Sequence, residues 1–361
     1  MNIQQATQQY EAWLADRITL VGADVELKHQ RMAESPFPLL RATFYRWVQR
    51  WPEICPELAA APVVLSVGDL HVENFGTWRD AEGRLIWGIN DFDEAYPMPY
   101  TNDLLRLAAS AILAIRENHL SLDPEDACDA ILSGYRATLE QGGCPFVLAQ
   151  RHAWLRELAA SNLRDPVAYW DKLDKLPATT GTIAREVLAA LEQWLPEKGL
   201  DYKLVHRIAG LGSLGRQRFV ALADWRGGLI AREAKALCIS ACLWEKHAGG
   251  AGEILYQKIL GASVRVLDPW VRLCGSWLVR RLAPDCSRVE LAALPKDCDE
   301  QNLLHAMGRE TANVHAGDGQ ARAAIRADFE SRHPHWLAKA AEAMADATQD
   351  DWNQWRKGRE P

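Results

Sequence analysis

The stretch "YKLVHRIAGLGSLGRQRFVALADWRGGLIAREAKAL", residues 202–237, constrains the fold more than any other. Apolar and polar residues alternate in three runs, separated by a glycine-rich turn and by "DWRGG". A period of two broken by such turns predicts a three-stranded antiparallel meander. A chain containing it cannot be all-helical.

Both flanks read as helix. Residues 1–60 carry an apolar stripe in "SPFPLLRATFYRWVQRW" after a Ser-Pro turn. Helical spacing recurs from Asn102 to about Pro196, in "NDLLRLAASAILAI", "LDPEDACDAILSGYRATLEQGG" and "AREVLAALEQWLP". It returns near the end in "PHWLAKAAEAMADATQDDW". Two short strands, "PVVLSVG" and "GRLIWGIND", interrupt the first helical region. After the meander the sequence predicts a helix, "GAGEILYQKIL", then strands "SVRVLD" and "SWLVRRL". The expected class is α+β, divided into a helical unit over 1–200, a small β-unit over 201–283, and further helices over 284–361 that complete the helical unit.

Charge and cysteine usage narrow the setting. The net charge is −7 and the basic residues are spread along the chain, which argues against a nucleic-acid backbone as partner. Eight Cys form no CxxC pair and no zinc-type grouping with His. The start "MNIQQATQQYEAWLADR" lacks a basic, then apolar, signal pattern, and no run reaches the roughly 18 apolar residues of a membrane helix. The expectation is a reduced, cytoplasmic protein with no membrane partner.

Three constellations can carry chemistry. "GDLHVENFG" places Asp69 five residues before Asn74, the spacing at which a kinase-type loop sets an Asp at the attacking hydroxyl and an Asn on magnesium. Asp and Asn also form ordinary turns, so that motif alone leaves both readings open. "NDFDEA" supplies Asp91, Asp93 and Glu94 at a strand end, oxygen ligands suited to a hard cation or to a solvated turn. "AGLGSLGRQRF" satisfies G-x-G-x-x-G through Gly210, Gly212 and Gly215, with Ser213 inside it. The segment after it is a strand, not the helix a dinucleotide fold needs. Glycine loops between antiparallel strands cover ATP phosphates in kinases. Lys235, in the next strand, can reach those phosphates, with Arg232 and Glu233 as competitors for the role.

Together these strings resemble the "HGDLHxGN…IDFxDA…DLA" signature of aminoglycoside phosphotransferases and choline kinases. More closely, "RMAESPF", "GDLHVENFG", "NDFDEA", "DLLRLAAS", "GLGSLGRQRFVAL" and "VRRL" resemble the bacterial domain-of-unknown-function 2252 family across most of the chain. The resemblance implies a bilobal protein-kinase-like fold and an ATP- and Mg2+-dependent phosphotransferase whose acceptor hydroxyl is unidentified. It puts Asp69 in the catalytic-base place, with His71 shaping the loop or touching phosphate and Asp103 bracing the loop from a helix. Asn74, Asp91 and Asp93 take the metal places. Gly210, Gly212, Ser213 and Gly215 form the phosphate loop, Lys235 is the ATP lysine, and Glu253 on the following helix is its partner. "RRLAP", with Leu282, becomes the adenine hinge.

One departure stands out: the glycine loop and lysine follow the catalytic loop instead of preceding it. A circular permutation accounts for that order, since chain termini often lie close together on a domain surface. It requires Gly212 and Lys235 to face Asp69 and Asp91 across one cleft. Two other readings stay open on the same fold, a catalytically inactive nucleotide-binding regulator and an AMP transferase. A metallophosphatase, suggested by G-D-x-H, would need further His and Asp ligands, and the sequence has no G-N-H-E or G-H-x-H string to supply them.

Overall fold

The computed structural model describes residues 1–148, 151–161, 165–246, 252–286, 291, 299–317 and 319–359. Five helices open the chain: α1 (Ile3–Ala15), α2 (Gly22–Met32), α3 (Pro36–Ala42), α4 (Phe44–Ile54) and α5 (Pro56–Ala59). Their starts follow local chemistry. Asn2 and Gln5 form a capping box on α1, and Pro36 and Pro56 occupy first-turn positions where a missing N–H costs nothing.

Four short strands follow: β1 (Val63–Ser66), β2 (Phe75–Arg79), β3 (Leu85–Ile89) and β4 (Tyr96–Pro99). β1 pairs antiparallel with β4, while β2 and β3 form a hairpin joined at its edge by β5 (Phe146–Val147). The expected strands at "PVVLSVG" and "GRLIWGIND" are present. β2, β4 and β5 are additions. β4 contains Pro97 and Pro99, which hid it, because proline is confined to strand edges and the β1–β4 pair is all edge.

The helical unit is built on α6 (Thr101–Arg116) and α7 (Pro124–Gln141), with α13 (Glu300–His315), α14 (Gly319–Ser331) and α15 (Trp336–Lys357) packed around them; between lie α8 (Ala153–Ser161), α9 (Pro166–Asp174), α10 (Arg185–Glu192), α11 (Ala241–Glu245) and α12 (Tyr256–Ala262). Every residue of α6 from Thr101 to Ala114 is buried, so this helix is the core's axis. α7 and α13 touch backbone to backbone. A Cβ on Gly134 would come within 1.9 Å of the His305 carbonyl oxygen, and one on Gly308 within 2.0 Å of that of Ile131. A buried bidentate pair, Arg46 to Asp351 at 2.8 and 2.9 Å, ties α4 to α15.

The meander forms as expected: β6 (Lys203–His206), β7 (Arg218–Trp225) and β8 (Gly228–Ala236). With β9 (Arg272–Cys274) and β10 (Trp277–Leu282) it makes a five-stranded antiparallel sheet in the order β6-β7-β8-β10-β9. α10 covers one face through Val187 and Leu191 against Phe219 and Val279. α9 covers the other through Tyr169 and Leu173 against Val205 and Leu222. The sheet thus takes its covering helices from the segment before residue 201.

Two expected elements differ. The helix over "GAGEILYQKIL" starts only at Tyr256, and residues 250–251 lie outside the described residues. Gly252 passes so close to α11 that a Cβ would sit 2.4 Å from Leu243, which keeps the segment in coil. "SVRVLD" forms no strand. Its Val264 amide donates instead to the Asn313 carbonyl of α13, and the Arg265 guanidinium donates to the Ile89 carbonyl of β3.

Candidate active site

The polar loops at the ends of β1 and β3 meet because Asn74 joins them. Its amide nitrogen donates to the carbonyls of Asp69 (3.3 Å) and Asp91 (3.0 Å). The Asp69 loop is also fixed from below. Asp103, fully buried on α6, accepts from the amides of Val67 (2.7 Å) and Gly68 (3.0 Å). His315 of α13 bonds Asp103 at 2.9 Å and Tyr135 at 2.8 Å. Gly68 needs its left-handed φ of 82°, and a Cβ there would strike the Glu94 carbonyl at 2.4 Å. Asp103 therefore positions the loop without facing the cleft.

Two connected spaces lie above these loops. An inner cavity of about 50 Å³ is lined by Asp69, His71, Asn74, Asp91, Asp93 and the glycine loop at Gly210–Ser213. An outer cleft of about 730 Å³ runs from there to Leu282, and Arg41, Asp91, Gly210 and Leu211 line both. Gly212 lies over Asp69: a Cβ on it would be 3.4 Å from Asp69 Oδ2 and 2.9 Å from the Arg41 carbonyl. Lys235 Nζ is 3.3 Å from Asp91 and 2.7 Å from Asp93. The two halves of the chain thus face each other across one cleft.

Strand alternation sorts the three residues that competed on β8. Glu233 and Lys235, two apart, share the cleft-side face, whereas Arg232 turns away to the Trp194 carbonyl and the Trp270 ring. Glu233 is fully buried and holds Arg207 (2.5 Å), Arg218 (2.8 Å) and Arg280 (2.7 Å). Those guanidiniums drive its carboxyl well below the ordinary range although burial alone would raise it. All three arginines line the outer cleft, which is accordingly cationic.

Other expected residues sit elsewhere. Gly215, at φ 94°, turns toward α2: its carbonyl accepts from the Val21 amide and a Cβ would meet Val25 at 2.6 Å, so it supports the loop from behind. Glu253, expected on a helix as the lysine's partner, is exposed in the coil before α12 and makes no ion pair among the described residues. Glu94 anchors structure, accepting from Arg216 (3.2 Å) and from the Ala241 amide at the start of α11 (2.7 Å).

Sequence reasoning missed Arg106, Arg216 and Lys28. Arg106 is fully buried on α6, sandwiched by Phe44 and Trp47, and donates through Nε (2.8 Å) and Nη2 (2.5 Å) to Asp69 Oδ1. Its signal was an arginine inside the apolar run "DLLRLAAS", three residues after Asp103. Burial pushes the Asp69 carboxyl upward, and Arg106 opposes that. Asp93 is pushed upward by burial and by Asp91, with Lys235 opposing.

The oxygen atoms suit a hard divalent cation. Asn74 Oδ1 and Asp93 Oδ1 are buried without a hydrogen-bond partner, beside Asp91 in the same cavity. An all-oxygen set of one amide and two carboxylates is the donor chemistry magnesium takes. Among the described residues no three His, Cys, Asp or Glu side chains gather as a metal-holding group, so the amide of Asn74 is needed to complete this one.

Residues 20–162 and 194–358 match the profile of a family described as "Uncharacterized protein conserved in bacteria (DUF2252)", and the chain belongs to that family. No curated protein and no solved structure matches it. No helix among the described residues is long and apolar enough to cross a membrane.

Proposed function

We propose that this DUF2252 protein is an ATP- and magnesium-dependent phosphotransferase of protein-kinase-like design, acting on a hydroxyl of a small molecule. One observation carries the reading: the Gly212 backbone lies over Asp69 while Lys235, 144 residues from Asp91 in sequence, joins Asp91 and Asp93 in the same cleft. A glycine loop, a lysine on the third strand of an antiparallel sheet, and a short Asp–Asn loop are the parts that phosphoryl transfer to a hydroxyl uses. A circular permutation explains their order along the chain.

Each side chain has a task in this reading. Asp91, Asn74 and Asp93 would hold magnesium, which when bound offsets the charge of the β- and γ-phosphates. Arg207, Arg218 and Arg280 give the outer cleft its positive wall, and Leu282 at the end of β10 marks the adenine side. Arg106 saturates Asp69 Oδ1 and leaves Oδ2 turned to the cavity. The acceptor oxygen bonds to the γ-phosphorus, the bond from that phosphorus to the ADP oxygen breaks, and the hydroxyl proton passes to Asp69. A carboxylate whose proton affinity burial has raised is a better acceptor for it.

The test is thermal unfolding with ATP and magnesium, comparing wild type with Asp91→Asn. Ligand at a hundredfold its Kd stabilises by about 2.7 kcal/mol. We expect a metal-dependent rise in Tm in wild type that largely disappears in the variant. Equal shifts in both would remove Asp91 from the site. Recovery of label on product from γ-labelled ATP supports phosphoryl transfer, whereas label from α-labelled ATP would make the enzyme an AMP transferase, and label from neither an inactive nucleotide binder.

A further inference from the structure

Each carboxylate facing the inner cavity is engaged by a cation. Asp69 is held by Arg106, Asp91 and Asp93 share Lys235, and Glu94 takes Arg216. Arg41 is engaged by Glu73 at 2.5 Å. Lys28 is left over. It lines the same cavity from α2, is only 4% exposed, and makes no hydrogen bond or ion pair among the described residues. The Tyr45 ring lies 5.7 Å from Nζ, and Glu11 is the carboxylate that acts most strongly on the ammonium. Burial pulls its ammonium down to about 8. Arg216 Nη1 in the same wall is buried without a hydrogen-bond partner and lies 3.8 Å from Asp93 Oδ2.

A buried ammonium lacking an acceptor costs several kcal/mol. Its natural complement is an anion brought by a ligand. The cavity is narrow, about 50 Å³, and joins the outer cleft at Arg41, Asp91, Gly210 and Leu211. A small anionic compound of a few carbons is the simplest ligand for it.

We propose that the inner cavity is the acceptor subsite, and that Lys28, with Arg216 beside it, receives the carboxylate or phosphate of a small anionic hydroxy compound whose hydroxyl then lies at Asp69. This assignment rests on the phosphotransfer reading. It gives the enzyme an acidic acceptor despite its acidic net charge, because Lys28 in this wall has no ion-pair partner among the described residues. The γ-phosphoryl group moves to the acceptor hydroxyl as written above, and the acceptor's anionic group takes no part in bond making.

The experiment is calorimetric titration of the full chain saturated with magnesium and the β,γ-imido analogue of ATP, which fills the outer cleft. Glycerate, glycerol 3-phosphate and glycerol are the probes, against wild type and Lys28→Met. We expect at least one of the two anions to bind wild type, glycerol not to bind, and Lys28→Met to weaken the anion tenfold or more while analogue affinity is unchanged. Which anion binds tells carboxylate from phosphate. Equal anion affinity in the two proteins, binding of glycerol as tight as the anions, or no binding of either anion overturns the acceptor assignment while leaving phosphotransfer standing. Failure of the analogue itself to bind wild type fells the phosphotransfer reading, and this assignment with it.

Discussion

Glu233→Gln isolates the most concentrated electrostatic feature of the sheet. In wild type, Glu233 Oε2 takes Arg207 while Oε1 takes both Arg218 and Arg280, all on a side chain with no exposure. Removing one partner of a buried ion pair costs about 3–5 kcal/mol, because the remaining charge is stranded. Here the three stranded charges differ. Arg218 is 5% exposed and has one other acceptor, Ser213 Oγ at 2.7 Å, whereas Arg207 (19%) and Arg280 (26%) reach the water of the outer cleft. Glutamine also keeps one acceptor oxygen. The loss should therefore fall at the lower end, about 3 kcal/mol at pH 7. Its pH dependence has a definite sign. A carboxyl whose folded pKa is depressed stabilises above its unfolded value, near 4.3, and that stabilisation is lost as pH falls through the folded pKa. Urea unfolding of both proteins from pH 7 to pH 3 should show the gap narrowing below about pH 4. A difference under about 1 kcal/mol at pH 7, or a gap that does not narrow in acid, would refute the reasoning.

Arg106→Lys should preserve affinity for the ATP analogue but lower kcat about tenfold or more, since a lysine cannot donate to Asp69 and to the Leu40 carbonyl in the guanidinium's planar geometry; a change confined to nucleotide affinity would place Arg106 elsewhere. Gly134→Ala should cost about 1–3 kcal/mol, read as a lower urea midpoint with m unchanged, because α7 must move off the His305 carbonyl. Gly308→Ala should cost as much, and the double variant less than the sum, since one separation of the helices relieves both clashes. Strict additivity would show the two contacts to be independent. Lys28→Met should raise the Tm of the ligand-free protein, as it removes a buried ammonium without a partner; a lower Tm would mean that Lys28 has an internal acceptor.

Much of the candidate site is legible in the sequence because its parts lie at element ends. Gly68, the carboxylates after β3 and the glycine loop interrupt clear strand patterns, and a break of that kind is visible in one dimension. Lys235 was harder, since three charged residues stand within four positions on β8, and only the strand's facing decides between them. The residues missed share a different property. Arg106, Lys28 and Arg216 are cations buried by tertiary packing, and each sits in a local pattern that an exposed residue would fit equally well. Glu253 failed for a converse reason: a helix was expected where Gly252 must pass against Leu243. Gly134 and Gly308 looked like weak points in helices, whereas each is a notch for the other helix's backbone.

Those two notches have a mechanical consequence. α13 carries Glu310, which accepts from the Ile89 amide, Asn313, which bonds Cys144 on both its amide and its carbonyl, and His315, which holds Asp103. Sliding α13 by one turn, about 5.4 Å, would undo all three links and drive a side chain into a backbone at each glycine. The helix has one seat, with no intermediate setting. The loops that carry Asp69 and Asp91 are therefore bolted to a rigid frame. The five-stranded sheet has apolar clusters of its own with α9 and α10, while Leu278 of β10 ties it into the main core.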